Sequence, residues 1–186
     1  GRVTVFNRRG KEIYVWNSGS GYITDAAITD NGRYIAVSQL VTGGGDTDTR
    51  IQIIDTGKGE TVASIDRAGE VTAELKFLSP NRLIAVTDNH VAAYSRGGKQ
   101  IFDISLSGKN PSLYSLDSRD RLAVVTLDNR GNNLLELYSY SGKLKACYTA
   151  SGDIRAMDVR GRTAVSVEQR GIVRVSARGK GRSAVS

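Results

Sequence analysis

Short apolar runs of five to eight residues, separated by turns of Gly, Asn, Asp and Ser, recur along the whole chain. The best defined set is Ile23–Thr29, Arg33–Leu40, Thr49–Asp55 and Glu60–Ile65. Runs of this length between such turns predict β-strands. Nowhere does a 3.6-residue apolar period persist between helix caps, so an all-β fold with few or no helices is expected.

The runs repeat as a group. A turn followed by Arg and an apolar strand occurs at Asp30–Val37, Ser79–Val86, Ser118–Val125 and Gly161–Ser166. The Arg residues stand at 33, 82, 121 and 162, with spacings of 49, 39 and 41. A second marker, Gly-Lys, recurs at Gly10, Gly57, Gly98, Gly142 and Gly179, with spacings of 47, 41, 44 and 37. The pair Gly108-Lys109 falls off that period. The first four in-period pairs lie between strand-like runs: Val3–Asn7 and Glu12–Asn17, Ile51–Asp55 and Thr61–Ile65, Val91–Ser95 and Gln100–Ser105, Leu134–Tyr140 and Leu144–Thr149. Gly accepts the positive φ of a tight hairpin, which accounts for its place there.

Four strands in a unit of about 40–45 residues describe a blade of a β-propeller. Blades stack face to face, so their inner and middle strands should be nearly continuously apolar, while the outer strand can alternate. Ile35-Ala36-Val37 and Ala123-Val124-Val125 are of the first kind, and Lys143–Tyr148 is of the second. The expected boundaries are a half blade at 1–17, then blades at 18–66, 67–107, 108–151 and 152–186, the last with a weak final strand. The half blade lacks its first two strands, and the C-terminal unit offers none to complete it. The fold expected is therefore an all-β propeller of four-stranded antiparallel blades, present as an open arc of about four and a half blades of a larger ring.

Composition adds exclusions. One His and one Cys cannot assemble a zinc site or a disulfide framework. No apolar run approaches the length of a membrane span. The net charge of +7 suggests nucleic acid. Its excess is local, however, carried by Arg155, Arg160, Arg162, Arg170, Arg174, Arg178, Lys180 and Arg182. That stretch has no aromatic residue to stack bases and no helix pattern to enter a groove, so a solvated basic face is expected.

Candidate chemistry is thin. Asp46 and Asp48 in the polar stretch 43–49 could touch a cation, but the ligand spacing of a calcium loop is missing and Arg50 follows. A plain hairpin loop is the better reading. Asp25, Asp30, Asp117 and Asp120 are candidate paired carboxylates; Asp30 and Asp120 occupy positions where Asp makes turns. Asp25 lies on a first strand, the strand that lines a propeller channel, with Asp103 and Asp153 as weaker cases. Cys147 reads as a half-buried structural thiol, His90 as a polar turn residue, and Trp16 as packing between blades. Ile54–Glu60 resembles the turn of quinoprotein-type blades, yet Val62 stands where those place a Trp. No catalytic, cofactor or metal residue is assigned, and no cofactor is expected.

Thr29–Val37 resembles the turn and second strand of WD-repeat-like and YVTN-like bacterial propellers. The Gly-His and Trp-Asp dipeptides of true WD40 repeats are missing. Val3–Asn7 followed by Tyr14–Ile23 more closely resembles an uncharacterised family of bacterial propeller proteins, common in clostridia, the domain of unknown function DUF5711. That resemblance implies an extracytoplasmic propeller held by an N-terminal membrane anchor outside this chain, with no catalytic residues to transfer. The function expected is non-catalytic binding or scaffolding at a bacterial cell surface, by analogy between propellers. Protein or cell-envelope glycan are the expected partners, with self-association through exposed blade faces. The alternative is a surface or periplasmic-type enzyme, quinoprotein-like or hydrolase-like, whose active residues lie in missing blades.

Overall fold

The computed structural model describes residues 1–43, 46–109, 111–117, 121–169, 171–177 and 183–185. Among them every regular element is a strand. Residues Gly1–Ser105 form one compact unit and Leu106–Ser186 a second.

In the first unit, β1 (Arg2–Phe6) and β2 (Glu12–Asn17) form a two-stranded antiparallel sheet. Next come β3 (Tyr22–Ile28), β4 (Tyr34–Gly43), β5 (Asp46–Asp55) and β6 (Glu60–Arg67), paired in that order. A second four-stranded sheet holds β7 (Thr72–Ser79), β8 (Arg82–Thr87), β9 (His90–Ser95) and β10 (Gln100–Ser105). The second unit has two such sheets. One is β11 (Leu113–Leu116), β12 (Arg121–Leu127), β13 (Asn133–Ser139) and β14 (Leu144–Thr149). The other is β15 (Ile154–Arg160), β16 (Thr163–Glu168), β17 (Gly171–Ser176) and β18 (Ser183–Val185). Four antiparallel meanders and one two-stranded sheet are the four and a half blades read from the repeat.

The middle strands are what the blades bury. Ile35, Ala36 and Val37 of β4, Leu83 to Val86 of β8 and Leu122 to Val125 of β12 are all at most 1% exposed. At about 1.5–3 kcal/mol for each fully buried aliphatic side chain, these strands dominate the cohesion of each sheet stack. Ala36, Ile51 and Ile53 meet Leu75, Leu83 and Ala85, joining the two complete sheets of the first unit. Val5 of the half blade meets Ile35, Val37 and Ile54, with Trp16 packed against the same cluster. In the second unit Leu135 and Leu137 share a core with Val159, Ala164 and Val175. Outer strands alternate as expected, β10 most cleanly.

Three expectations need correction. The stretch 43–49 is not simply a loop: β4 runs to Gly43 and β5 starts at Asp46, with Val41 opposite Asp48 and Thr42 opposite Thr47. Alternating Thr and Asp carry the ladder outward, since β-branched Thr suits extended backbone. The hairpin glycine is also not uniform. Gly10, Gly98 and Gly142 have φ of 74°, 82° and 76°, but in the second hairpin the positive φ belongs to Gly59, not Gly57. There Asp55 caps the turn, its Oδ1 accepting the Gly57 N–H at 3.0 Å and its backbone O that of Gly59 at 2.8 Å. Finally β16 is a middle strand that alternates, leaving Val165 and Val167 39% and 41% exposed. The marker pair Gly179-Lys180, and Arg119, Asp120, Arg170, Arg178 and Arg182, lie outside the described residues.

Candidate functional site

Among the described residues the first strand of each four-stranded sheet pairs on one edge, which leaves a row of backbone donors and acceptors needing partners. Side chains from the preceding sheet supply some of them. The Asp25 carboxylate on β3 accepts the backbone N–H of Leu75 on β7 at 2.6 Å. In the second unit the Ser115 hydroxyl on β11 accepts the N–H of Val159 on β15 at 3.0 Å and donates to Asp158 at 2.8 Å. Two residues on, Asp117 accepts the N–H of Gly161 at 3.0 Å. Asp25 and Asp117 are therefore joints between sheets. The Glu74 carboxyl is pushed above its ordinary range by burial, and the Asp25 charge adds to this while Lys76 opposes it.

Of the four candidate carboxylates, Asp25 and Asp30 belong to the first unit and Asp117 to the second, and Asp120 lies outside the described residues. Asp30 is exposed in the turn after β3, whose local hydrogen bonds come from Thr29 and Asn31. Asp153 accepts a hydrogen bond from Asn133 at 3.3 Å, and Asp48 accepts the Gly69 N–H at 3.1 Å. The side chain of Asp46 lies outside the described ones.

A charged cluster closes one corner of the β7–β10 sheet. Arg67, at the end of β6, reaches Glu70 in the next loop at 2.7 Å and Asp103 on β10 at 2.9 Å. Thr87, ending β8, donates to Glu70 at 2.7 Å, and Thr49 donates to the Glu70 backbone oxygen at 2.6 Å. His90 opens β9 with Nδ1 3.0 Å from Glu70 Oε1, off the line of a ring hydrogen bond, and Nε2 3.9 Å from Asp103. His90 is thus a member of an ionic cluster rather than a simple turn residue. Burial acts to lower the Arg67 pKa, but Glu70, Tyr94 and Asp103 outweigh it and the guanidinium stays firmly charged. Burial raises the Tyr94 hydroxyl; the carboxylates add to this and Arg67 opposes it. Both carboxylates are engaged by one guanidinium.

The same corner is tied in the other blades by different residues. Gln39 donates to the Ser20 backbone oxygen at 3.0 Å, and Ser151 donates to Glu168 at 3.3 Å. In the β11–β14 sheet Lys109 reaches both Glu136 oxygens, at 2.9 and 3.1 Å, and the Tyr138 hydroxyl at 3.1 Å. Burial would lower the Lys109 pKa, but Glu136 and Tyr138 outweigh it and raise it. The Gly108-Lys109 pair that broke the marker period thus serves this ion pair. Sequence reading missed these corners; Arg67 and Glu70, three apart, form the part of them that is local in sequence.

Cys147 on β14 is exposed rather than half-buried, opposite Glu136 in the ladder. Its thiol pKa is raised by partial desolvation and then by the Glu136 carboxylate, with Lys109 opposing. Among the described residues no group of three His, Cys, Asp or Glu side chains could hold a metal ion, and no helix is long and apolar enough to cross a membrane.

Comparison with known proteins agrees with this architecture. The model of a family of unknown function (DUF5711) matches residues 1–184. No curated protein matches the sequence. Among solved structures the chain is similar to the Dos1 propeller, with a TM-score of 0.62 and 15% identity over 95% of this chain. It is similar to the Cps50 (Swd1) β-propeller domain of Myceliophteria thermophila, with a TM-score of 0.65 and 13% identity over 99%. It is also similar to the Pan2 WD40 domain of Neurospora crassa, with a TM-score of 0.60 and 16% identity over 94%. It spans 50%, 64% and 56% of those chains, respectively. At such identities the likeness is one of fold.

Proposed function

The chain belongs to this family of unknown function, and we propose that it is a non-catalytic binding or scaffolding propeller. The observation that carries the reading is the engagement of its acidic side chains. Asp25, Asp117, Asp103 and Glu70 hold strand edges and loop corners together. Such bonds fix the loops at the ends of the blades, and a preorganised surface binds a partner at lower entropic cost. The propeller fold, shared with a WD40 domain, supports a protein partner by analogy of fold.

In the finer form of the proposal the protein acts on the outer side of a bacterial membrane, anchored by a segment outside these residues. There it binds an envelope protein or glycan. The Tyr14–Ile23 phrase and its family resemblance support this location. Val165, Val167 and Ile172, clustered on β16 and β17, give a secondary surface for self-association.

The test immobilises the purified chain and passes fractionated envelope proteins and purified cell-wall glycan over it. Saturable binding of one component, unchanged by His90→Ala, is expected. Turnover of an envelope component that disappears with His90→Ala or Glu70→Gln, while the fold persists, would replace binding with catalysis.

A further inference from the structure

We propose that the cleft between the end of β2 and the adjoining face of the β3–β6 sheet binds an uncharged oligosaccharide, stacked on Trp16 and hydrogen-bonded by Gln52. This rests on the binding reading above and names its ligand and site. Successive residues of a strand face opposite sides of the sheet. Ile35, Val37 and Gln39 of β4 therefore share a face with Arg50, Gln52 and Ile54 of β5, Val37 standing opposite Gln52 and Gln39 opposite Arg50. At one end this face packs Ile35, Val37 and Ile54 against Val5 and Trp16. Beyond Val37 it turns polar. There a cleft of about 330 Å³ opens, with Trp16, Asn17 and Ser20 contributed by β2 and the turn after it, and Gln39, Arg50 and Gln52 by the sheet. Small-ligand sites run from about 300 to 1,000 Å³.

Gln52 is where the repeat departs from itself. With Arg33, Arg82, Arg121 and Arg162 as common origin, Val37 corresponds to Val86, Val125 and Ser166. The residues opposite those three are Val91, Leu135 and Val173, all apolar. Only the first complete sheet carries an amide at that place, half-buried between strands where packing favours an aliphatic side chain. Among the described residues no hydrogen bond engages the side-chain amides of Asn17 and Gln52, so each keeps donors and an acceptor for a ligand. Gln39, 6% exposed, donates to the Ser20 backbone oxygen at 3.0 Å and so fixes the rim. The lining also selects the ligand's charge. No carboxylate among the described residues lines the cleft to hold a cation, and Arg50 donates to Asp66 at 2.7 Å, which offsets its charge toward an anion. What remains is an indole beside amides. A pyranose with equatorial hydroxyls matches both, laying its axial C–H face on the ring while its hydroxyls donate to and accept from the amides.

Trp16 is the only Trp of the 186-residue chain, so its fluorescence reports on this cleft alone. The purified chain is titrated with cellotetraose and with chitotetraose. A saturable shift of emission is expected with at least one of them, together with reduced quenching by acrylamide; which sugar binds more tightly separates a hexose chain from an N-acetylhexosamine chain. Gln52→Val installs the residue type of the other blades, so the unfolding midpoint should not fall while affinity drops about tenfold. Asn17→Ala, at an exposed position, should also weaken binding, and Gln100→Ala, exposed outside the cleft, should leave it unchanged. The proposal is overturned if neither sugar moves the emission, or if Gln52→Val and Asn17→Ala both bind like the parent. Binding of a polygalacturonate oligomer alone, lost at high salt, would assign the cleft to an anion and overturn it equally. Capture of an envelope protein with Trp16 emission unchanged would sink this site and leave the broader binding reading standing, whereas a chain that captures neither protein nor glycan would sink both.

Discussion

Asp25 and Leu75 are joined across two sheets by a carboxylate that accepts a backbone N–H at 2.6 Å. Among the described residues the donor belongs to an edge that no strand covers, and Leu75 itself is only 5% exposed. Removing the acceptor leaves a largely buried N–H without a partner, a cost of about 1–3 kcal/mol. Asp25→Ala should lower the urea midpoint without changing the slope, and Asp25→Asn, which keeps a carbonyl oxygen, should recover part of the loss.

Arg67 bridges Glu70 and Asp103, with 14%, 10% and 24% of their side chains exposed. Arg67→Leu leaves the two carboxylates facing one another. A loss of about 3 kcal/mol is expected from denaturant unfolding. Adding Glu70→Gln to that variant should restore some of the loss, since it removes one of the stranded charges.

Asp55 titrates in the opposite sense to Glu74. Burial would raise the Asp55 pKa, but the Arg33 hydrogen bond and the Gly57 and Lys58 amides outweigh it, so its folded value is depressed. A depressed carboxylate stabilises the fold above its unfolded value of about 4 and loses that contribution as pH falls through the folded value. Asp55→Asn should therefore be less stable than the parent at neutral pH. The difference should shrink as pH drops below about 4, which thermal unfolding across a pH series would read.

For Glu74 the folded value is raised, by burial first and then by Asp25. Its ionised form costs stability at neutral pH, and the cost disappears as the group takes up a proton on acidification. Glu74→Gln should raise the unfolding midpoint at pH 7 and converge on the parent in acid.

Cys147 should be accessible yet slow. Its exposed position admits reagent, while desolvation and Glu136 hold the thiolate fraction below that of free cysteine. Complete labelling by iodoacetamide at a reduced rate at pH 7 is expected, and the rate should rise with pH along a curve displaced upward from that of free cysteine.

The blades were legible because their signals are local. β10 and β14 run over Gln100–Ser105 and Leu144–Thr149, the bounds that the apolar runs predict. The end of β4 and start of β5 were not, because residues 43–49 read as loop by composition; their pairing rests on cross-strand neighbours and on the bond from Gly69 to Asp48. The corners were hidden for a related reason. Arg67 meets Asp103 across 36 positions of sequence, and Lys109 meets Glu136 across 27. No spacing rule links such residues, and different side chains do the same work in each blade. Asp25 was singled out for its place on a first strand, but its partner is a backbone N–H, which every sequence supplies and no sequence marks.

The central claim is that Asp25, Ser115 and Asp117, polar side chains on or just after first strands, are joints between blades. Amide hydrogen exchange of the intact chain tests it most directly, at Leu75, Val159 and Gly161, whose N–H groups are held by Asp25, Ser115 and Asp117. They should exchange as slowly as the amides of β8 and β12, opening only with their sheets, and Asp25→Ala should release Leu75 selectively. Exchange at the rate of exposed loops, unaffected by that substitution, would contradict the account.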